Sequence, residues 1–369
     1  MSAHRSLAVV VLAAGKSTRM RSERPKPLHR LCGRAMVLHV LDAAAQLDPD
    51  RAVVVVGHGG PRVSKAVDEQ PPAGLRIEFV EQPEQRGTGD ALSVALTAFP
   101  DDDLDDGDVL VLPGDTPLLR APTLAALVRA HREADAAATL LTAQVADPRG
   151  YGRVVRDRQG SVARVVEQAD ASPEELEVDE VNTSIYVFRR SVLAPALRRL
   201  SPDNAQGEYY LTDIVAVLHD AGYAVSSMLV PDPMEAAGVN DRAQLAVAEA
   251  ELRDRINERW MRRGVTMLDP ERTYLDTGVS LEADVTLYPG TMLQGSTTVA
   301  AGAEIGPDTQ LADCTVGPRA MVTATIGRMA EIGADARVGP WAWLPPGSRV
   351  DRGAVTGACF TGSTVEDEG

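Results

Sequence analysis

An apolar run ends in Leu12-Ala13-Ala14-Gly15, and two cations, Arg19 and Lys26, follow it. A strand that empties into a small-residue loop lets backbone N–H groups close on phosphates and lets a base approach the main chain. An ordinary strand-to-helix turn is the competing reading. Lys26 stands between Pro25 and Pro27, and two cations beside such a loop suit a triphosphate; a solvated surface lysine is the alternative. Glu81-Gln82 closes another apolar run, and Gly87-Thr88-Gly89 opens a helical stretch. The Gln82 amide can read donors and acceptors on a base edge; otherwise this is a plain helix entry. Leu110-Val111-Leu112-Pro113-Gly114-Asp115 ends a third run on a carboxylate. Such an Asp is a natural Mg²⁺ ligand beside phosphates, unless it only caps the turn at Thr116-Pro117. No Ser-His-Asp or Cys-His arrangement competes, and the six histidines take no role.

The elements that must position these residues come in two textures, divided near residue 264. Before it, the strand-like runs Leu7–Leu12, Ala52–Val56, Arg76–Val80 and Val109–Leu112 alternate with helical spacing over Ala35–Leu47, Asp90–Ala98 and Thr123–Ala134. That alternation predicts an α/β fold, a doubly wound, mostly parallel sheet with ligands at the carboxyl ends of its strands. Gly152–Arg156 and Ser161–Glu167 read as a hairpin around Gln159-Gly160, placed to wall a pocket, and Val181–Phe188 as a further strand. Tyr209–Ala221 and Arg242–Arg263 read as helices, the second free of Gly and Pro.

After Gly264, aliphatic residues recur every six positions: Leu275, Leu281, Leu287, Leu293, Val299, Ile305, Leu311. After a slip the step resumes at Ile326, Ile332, Val338, Leu344 and Val350, about four coils in all. A hexapeptide step predicts a short parallel β-helix, left-handed in type, with one aliphatic side chain pointing inward per strand. The expected domains are residues 1–240, a linker helix over 241–263, and the β-helix with its acidic tail over 264–369.

Composition removes several classes of function. Lys+Arg is 37 against Asp+Glu 53, a net charge of −16, which opposes a nucleic-acid coat but not a nucleotide in a local pocket. Aromatic residues are 4% of the chain, thin for base-stacking platforms. Cys32, Cys314 and Cys359 lie far apart and predict neither a disulfide framework nor a zinc site. The run Leu7–Ala14 is too short for a bilayer, which needs ~20 apolar residues, so no membrane partner and a cytoplasmic location are expected.

The motifs also occur in a known order. Leu12–Met20, Pro25-Lys26, Gln82 with Gly87-Thr88-Gly89, Gly114-Asp115, Gly150-Tyr151-Gly152-Arg153, Val166-Glu167, Glu180-Val181-Asn182, Asn204–Asp213 and Gly238-Val239-Asn240, with a β-helix behind them, resemble one family. It is the bacterial bifunctional N-acetylglucosamine-1-phosphate uridylyltransferase/glucosamine-1-phosphate acetyltransferase family. The resemblance implies that Leu12, Ala13, Ala14, Gly15, Gln82, Gly87 and Thr88 bind the nucleotide. It implies that Arg19 and Lys26 neutralise the triphosphate and that Asp115 and Asn240 hold Mg²⁺. Gly114, Gly152, Glu167 and Asn182 would bind the sugar. The reaction implied is in-line attack of a sugar 1-phosphate on the α-phosphorus of a nucleoside triphosphate, UTP with N-acetylglucosamine 1-phosphate first among the pairs. A homotrimer through the β-helix is a candidate assembly.

Departures from the family are equally legible. Ser17 and Ser184 stand where glycine is usual, and Pro113 where tyrosine is common. Ser184 follows Asn182 by two, so in a regular strand both face one way and border one pocket. Another hexose or a cyclitol phosphate, with GTP, ATP or dTTP, is therefore the alternative substrate pair, and a non-catalytic scaffold the third reading. Leu344-Pro345-Pro346-Gly347 replaces the family's Leu-Arg-Pro-Gly, and the chain ends before the later coils. The acetyltransferase is expected to be absent.

Overall fold

The computed structural model describes residues 5–15, 18–99 and 107–363; Ser17 and the acidic tail lie outside them. The chain forms two compact units, residues 1–29 with 35–245 and residues 30–34 with 246–369.

The first unit is built on a twisted main sheet. Its strands run in the order Val225–Leu229, Ala138–Gln144, Glu180–Arg189, Asp108–Pro113, Leu7–Ala13, Arg51–Val56, Ile77–Glu81. Glu180–Arg189 is antiparallel to both neighbours, and the other pairs on this path are parallel. Side chains alternate faces along a strand. Val9 and Val11 therefore join one core with Val54 and Leu110, while Ala8 and Val10 join another with Val53 and Val111. Met36–Ala45 and Ala121–Glu133 cover the first face; Thr88–Leu96, Arg190–Leu197 and Asp213–Asp220 cover the second. From the central Leu7–Ala13 the chain moves to Arg51–Val56 on one side and returns to Asp108–Pro113 on the other. Ligands bind where the winding reverses in this way, beyond the carboxyl ends.

The expected hairpin forms from Arg153–Arg156 and Val162–Val166 and joins the sheet at Val181. The helix expected from Tyr209 begins at Asp213 instead. The Tyr209 carbonyl, which a helical turn would bond to the N–H four residues on, accepts Gly89 N–H at 2.8 Å, and Tyr209 N–H donates to Arg86 O at 2.7 Å. The strand through Asn182 is not regular either. Its register against Ala138–Gln144 shifts between Asn182 and Ile185, and Ser184 has φ +61°, a region that favours glycine. His131 is a core residue: its Nδ1 lies 2.9 Å from Thr139 Oγ1, and its Nε2 3.5 Å from Asp108.

The second unit is a left-handed parallel β-helix of three ladders, each five strands deep. Leu275, Leu293, Leu311 and Leu344 stack inward on one face; Leu281, Val299, Val316, Ile332 and Val350 on another. Ile326 breaks the expectation. It is 45% exposed, and Gly327 takes the inward place between Leu311 and Leu344. The six-residue step is shortened by one before Val316, before Gly327 and before Ile332, so counting back in sixes from Ile332 lands on Ile326, one position early. A Cβ on Gly327 would stand 2.9 Å from Leu311 Cδ2, which leaves that rung no room for a side chain. Buried threonines stand two residues before inward positions. Thr291 and Thr309 donate their hydroxyls to the carbonyls of Ile305 and Val322, at 3.1 and 3.3 Å. The helix Arg242–Met261 contributes Ile256 and Trp260 to this core. Among the described residues, no helix is long and apolar enough to cross a membrane.

Candidate active site

A cleft of about 750 Å³ opens at the carboxyl ends of the central strands of the first unit. Leu12, Ala13, Ala14 and Gly15 line its floor where Leu7–Ala13 ends, beside Pro113, Gly114 and Asp115 where Asp108–Pro113 ends. Gly114 must approach its neighbour closely, since a Cβ there would stand 3.2 Å from Leu12 O. At Gly15 a Cβ would meet nothing within 4 Å, so the loop's inner surface is open.

At one end of the cleft, four side chains from distant segments converge. Lys26 Nζ donates to the Asp115 carboxylate and, at 2.8 Å, to Asn240 Oδ1, which also accepts Arg19 Nη2 at 3.0 Å. Lys26 comes from the 3-10 turn Lys26–Leu28 after Pro25, and its side chain is 12% exposed. Asn240 is brought in by main chain, because Val239 N–H donates to Asp115 O at 2.9 Å. The carboxylate and the amide oxygen thus already hold a cation between them.

A second wall carries Gln82, Gly87 and Thr88. Gln82 Nε2 donates to Gly87 O at 3.1 Å and to Asp90 Oδ2 at 2.7 Å. Gly87 has φ +110° and Thr88 opens the Thr88–Leu96 helix. Leu211 N–H donates to Thr88 Oγ1 at 3.0 Å, so the 209–211 segment clamps this loop from outside. Gln85 Nε2 bonds the Ala14 carbonyl and ties the wall to the floor.

The third wall comes from the hairpin and the irregular strand. Glu167, Asn182, Ser184, Tyr186 and Thr212 all face the cleft. Thr212 Oγ1 donates to Glu167 Oε1 at 3.0 Å, and Asn182 Nδ2 to Tyr186 Oη at 2.7 Å. Ser184 N–H reaches Asn182 Oδ1 at 3.3 Å. Burial pushes the Glu167 carboxyl up and the nearby Asp213 and Asp170 charges add to this, against the Thr212 bond. The Tyr186 phenol is also pushed up by burial and by Glu167, so it stays a neutral hydroxyl.

Residues 9–220 match the MobA-like NTP transferase domain. The chain is 47% identical over 355 residues to the bifunctional protein GlmU of Mycolicibacterium vanbaalenii, covering 96% of this chain and 72% of that protein. It is 45% identical to the same protein of Streptomyces avermitilis, over 97% and 73% of the two chains. Against Thermobifida fusca the identity is 48%, over 90% and 68%. The chain belongs to the GlmU family.

It is therefore a sugar-1-phosphate nucleotidyltransferase. Fourteen of the fifteen residues expected from sequence line the one cleft; Gly152 does not, and instead its carbonyl accepts the Asn182 N–H at 2.9 Å. Sequence reasoning missed Gln85, Tyr151, Tyr186 and Thr212. Thr212 stands in the quoted Asn204–Asp213 motif, a usable signal; Tyr186 sits inside an apolar run and looks like core.

Glu167 also makes a stability prediction for this GlmU-family fold. A carboxyl whose pKa rises on folding favours its protonated form in the folded chain, so stability is lost as pH rises from its ordinary 4.5 toward the folded value. Glu167→Gln cannot ionise and is expected to melt higher than wild type, by ~2–4 °C for each kcal/mol recovered. The gap should be larger at about pH 8 than at about pH 4. Thermal melts in which the variant is never above wild type would refute a carboxyl raised by burial at Glu167.

Proposed function

We propose that this enzyme transfers a uridylyl group from UTP to N-acetylglucosamine 1-phosphate. The observation that carries the reading is the Lys26–Asp115–Asn240–Arg19 constellation, facing Glu167 and Asn182 across one cleft. A phosphate oxygen of the sugar 1-phosphate bonds the α-phosphorus, and the α–β bridging P–O bond breaks with pyrophosphate leaving. The attacking group is already an anion, so the protein supplies position and positive charge rather than a nucleophile. Arg19 and Lys26 neutralise the triphosphate; the 12–15 loop receives it with backbone N–H groups. Glu167 and Asn182 take the sugar hydroxyls and N-acyl group, with Gly114 giving close backbone approach and the Gly152 carbonyl holding the Asn182 main chain.

The donor set also fits Mg²⁺. Among the described residues no group of three or more His, Cys, Asp or Glu side chains forms a metal cage. A carboxylate with one neutral oxygen, the rest left to phosphates and water, is nonetheless how Mg²⁺ is held beside nucleotides. Asp115 and Asn240 would hold it, and it would add positive charge against the phosphates. The same reading places the enzyme in the cytoplasm and lets its β-helix pack as a homotrimer.

Ser184 favours a second substrate reading. Its side chain joins the wall at a left-handed bulge next to Asn182, where it takes room from an N-acyl group and adds a hydroxyl. Another hexose or a cyclitol phosphate would fit such a wall. The deciding experiment is a matrix of UTP, dTTP, CTP, GTP and ATP against sugar 1-phosphates, followed by pyrophosphate release. Highest kcat/KM for UTP with N-acetylglucosamine 1-phosphate is expected; a preferred sugar without the acyl group would replace that reading with the second. With acetyl-CoA and glucosamine 1-phosphate no free thiol is expected, since Pro345 offers no guanidinium for a substrate phosphate.

A further inference from the structure

Gln82 is 4% exposed and sits on the wall of the cleft. A primary amide has two donor protons and one acceptor oxygen. Both protons are used inside the protein, on Gly87 O at 3.1 Å and Asp90 Oδ2 at 2.7 Å. Those two partners are acceptors only, so the amide has one orientation that bonds both, and the reverse flip would set oxygen against oxygen. Oε1 takes no hydrogen bond from the described residues and is what the amide has left to offer a ligand. Gly87 O is main chain and cannot turn away; Asp90 is the replaceable half of the lock. It stands in the first turn of Thr88–Leu96, where a carboxylate is favoured by the helix N-terminus.

We infer that Asp90 is a positioning residue for base selection, holding Gln82 so that the cleft presents an acceptor and never a donor at that point. An acceptor there is matched by a ring N–H on the base. Uracil presents one at N3. Cytosine presents a bare lone pair at the same atom, which would face Gln82 Oε1 with nothing between them. The lock thus selects UTP over CTP before any contact with the sugar. Without Asp90 the flip sets Oε1 against Gly87 O alone instead of against two acceptors, so the amide turns at lower cost and Nε2 can donate to cytosine N3.

This rests on the uridylyl transfer proposed above. The test measures kcat/KM for UTP and for CTP, each with N-acetylglucosamine 1-phosphate, in the whole 369-residue chain. Asp90→Leu, which keeps bulk and loses the acceptor, is expected to lower the UTP:CTP ratio by about tenfold or more. The sugar phosphate KM should stay within about twofold, which a general loosening of the cleft would not allow. Asp90→Asn keeps an acceptor oxygen and is expected to retain most of the wild-type ratio. Asp90→Ala, read the same way, covers the case in which leucine disturbs the helix start. A ratio unchanged within about twofold in a folded Asp90→Leu or Asp90→Ala overturns the inference alone. A wild-type enzyme that turns over no UTP overturns the uridylyl reading and this one together.

Discussion

Asp115→Asn is expected to lower kcat by about 10²–10³-fold, as does loss of one preorganised charge-stabilising group in other active sites. The carboxylate lies two residues past the Asp108–Pro113 strand, is 25% exposed on its side chain, and holds the Lys26 ammonium that also meets Asn240. Asparagine keeps the shape and removes the charge. Lys26 is then left beside two amides with no anion, and the proposed metal loses its one carboxylate ligand. Transition-state charge on the phosphates is met less well, so the loss should fall on kcat more than on either KM. The fold should survive, because the tie from Val239 N–H goes to the Asp115 main-chain oxygen and not to its carboxylate. Pyrophosphate release at saturating substrates, alongside a thermal melt, measures both. A kcat within about threefold of wild type would remove Asp115 from the phosphate machinery.

Gly87→Ala is the second large effect expected. The φ of +110° already excludes most side chains, at a cost of about 1–3 kcal/mol. The space is closed as well. A Cβ at Gly87 would stand 2.6 Å from Tyr209 O and 2.9 Å from Tyr209 N. These are backbone atoms, which cannot swing aside as a side chain would. Relief requires the 208–209 segment to move off the loop, against the Tyr209–Arg86 and Gly89–Tyr209 bonds at 2.7 and 2.8 Å. Gln82 moves too, since Gly87 O is one of its two anchors. Nucleotide KM is expected to rise about 10- to 100-fold, the scale of an ångström's misplacement. Tm should fall with it, while KM for the sugar phosphate changes little. Initial rates against varied UTP decide it; an unchanged nucleotide KM would show that the clamp is not part of the base wall.

Local pattern and tertiary context divide the account of this chain unevenly. Alternating Val-rich runs and helical stretches were enough to place Leu7–Ala13, Arg51–Val56 and Asp108–Pro113 in a doubly wound sheet, because burial on both faces demands continuous apolar strands. The six-residue aliphatic step was enough for the β-helix, since each short strand must send a side chain inward. The small-residue loop, Lys26 and Asp115 were singled out from sequence by residue type beside strand ends, and the fold brings them to one cleft. Three things depended on partners far away in the chain. Ile326 and Gly327 exchange places because shortened turns in successive coils change which residue meets Leu311. Ser184 borders the cleft with Asn182, but from a left-handed bulge and not a regular strand, because the pairing with Ala138–Gln144 shifts register after Asn182, and no local propensity encodes that register. Gln82 was a candidate base reader in sequence, where it could donate or accept. Only folding brings Gly87 O and Asp90 against its amide and leaves the acceptor alone, because a hydrogen-bonding group's role is set by which of its atoms the protein has already used.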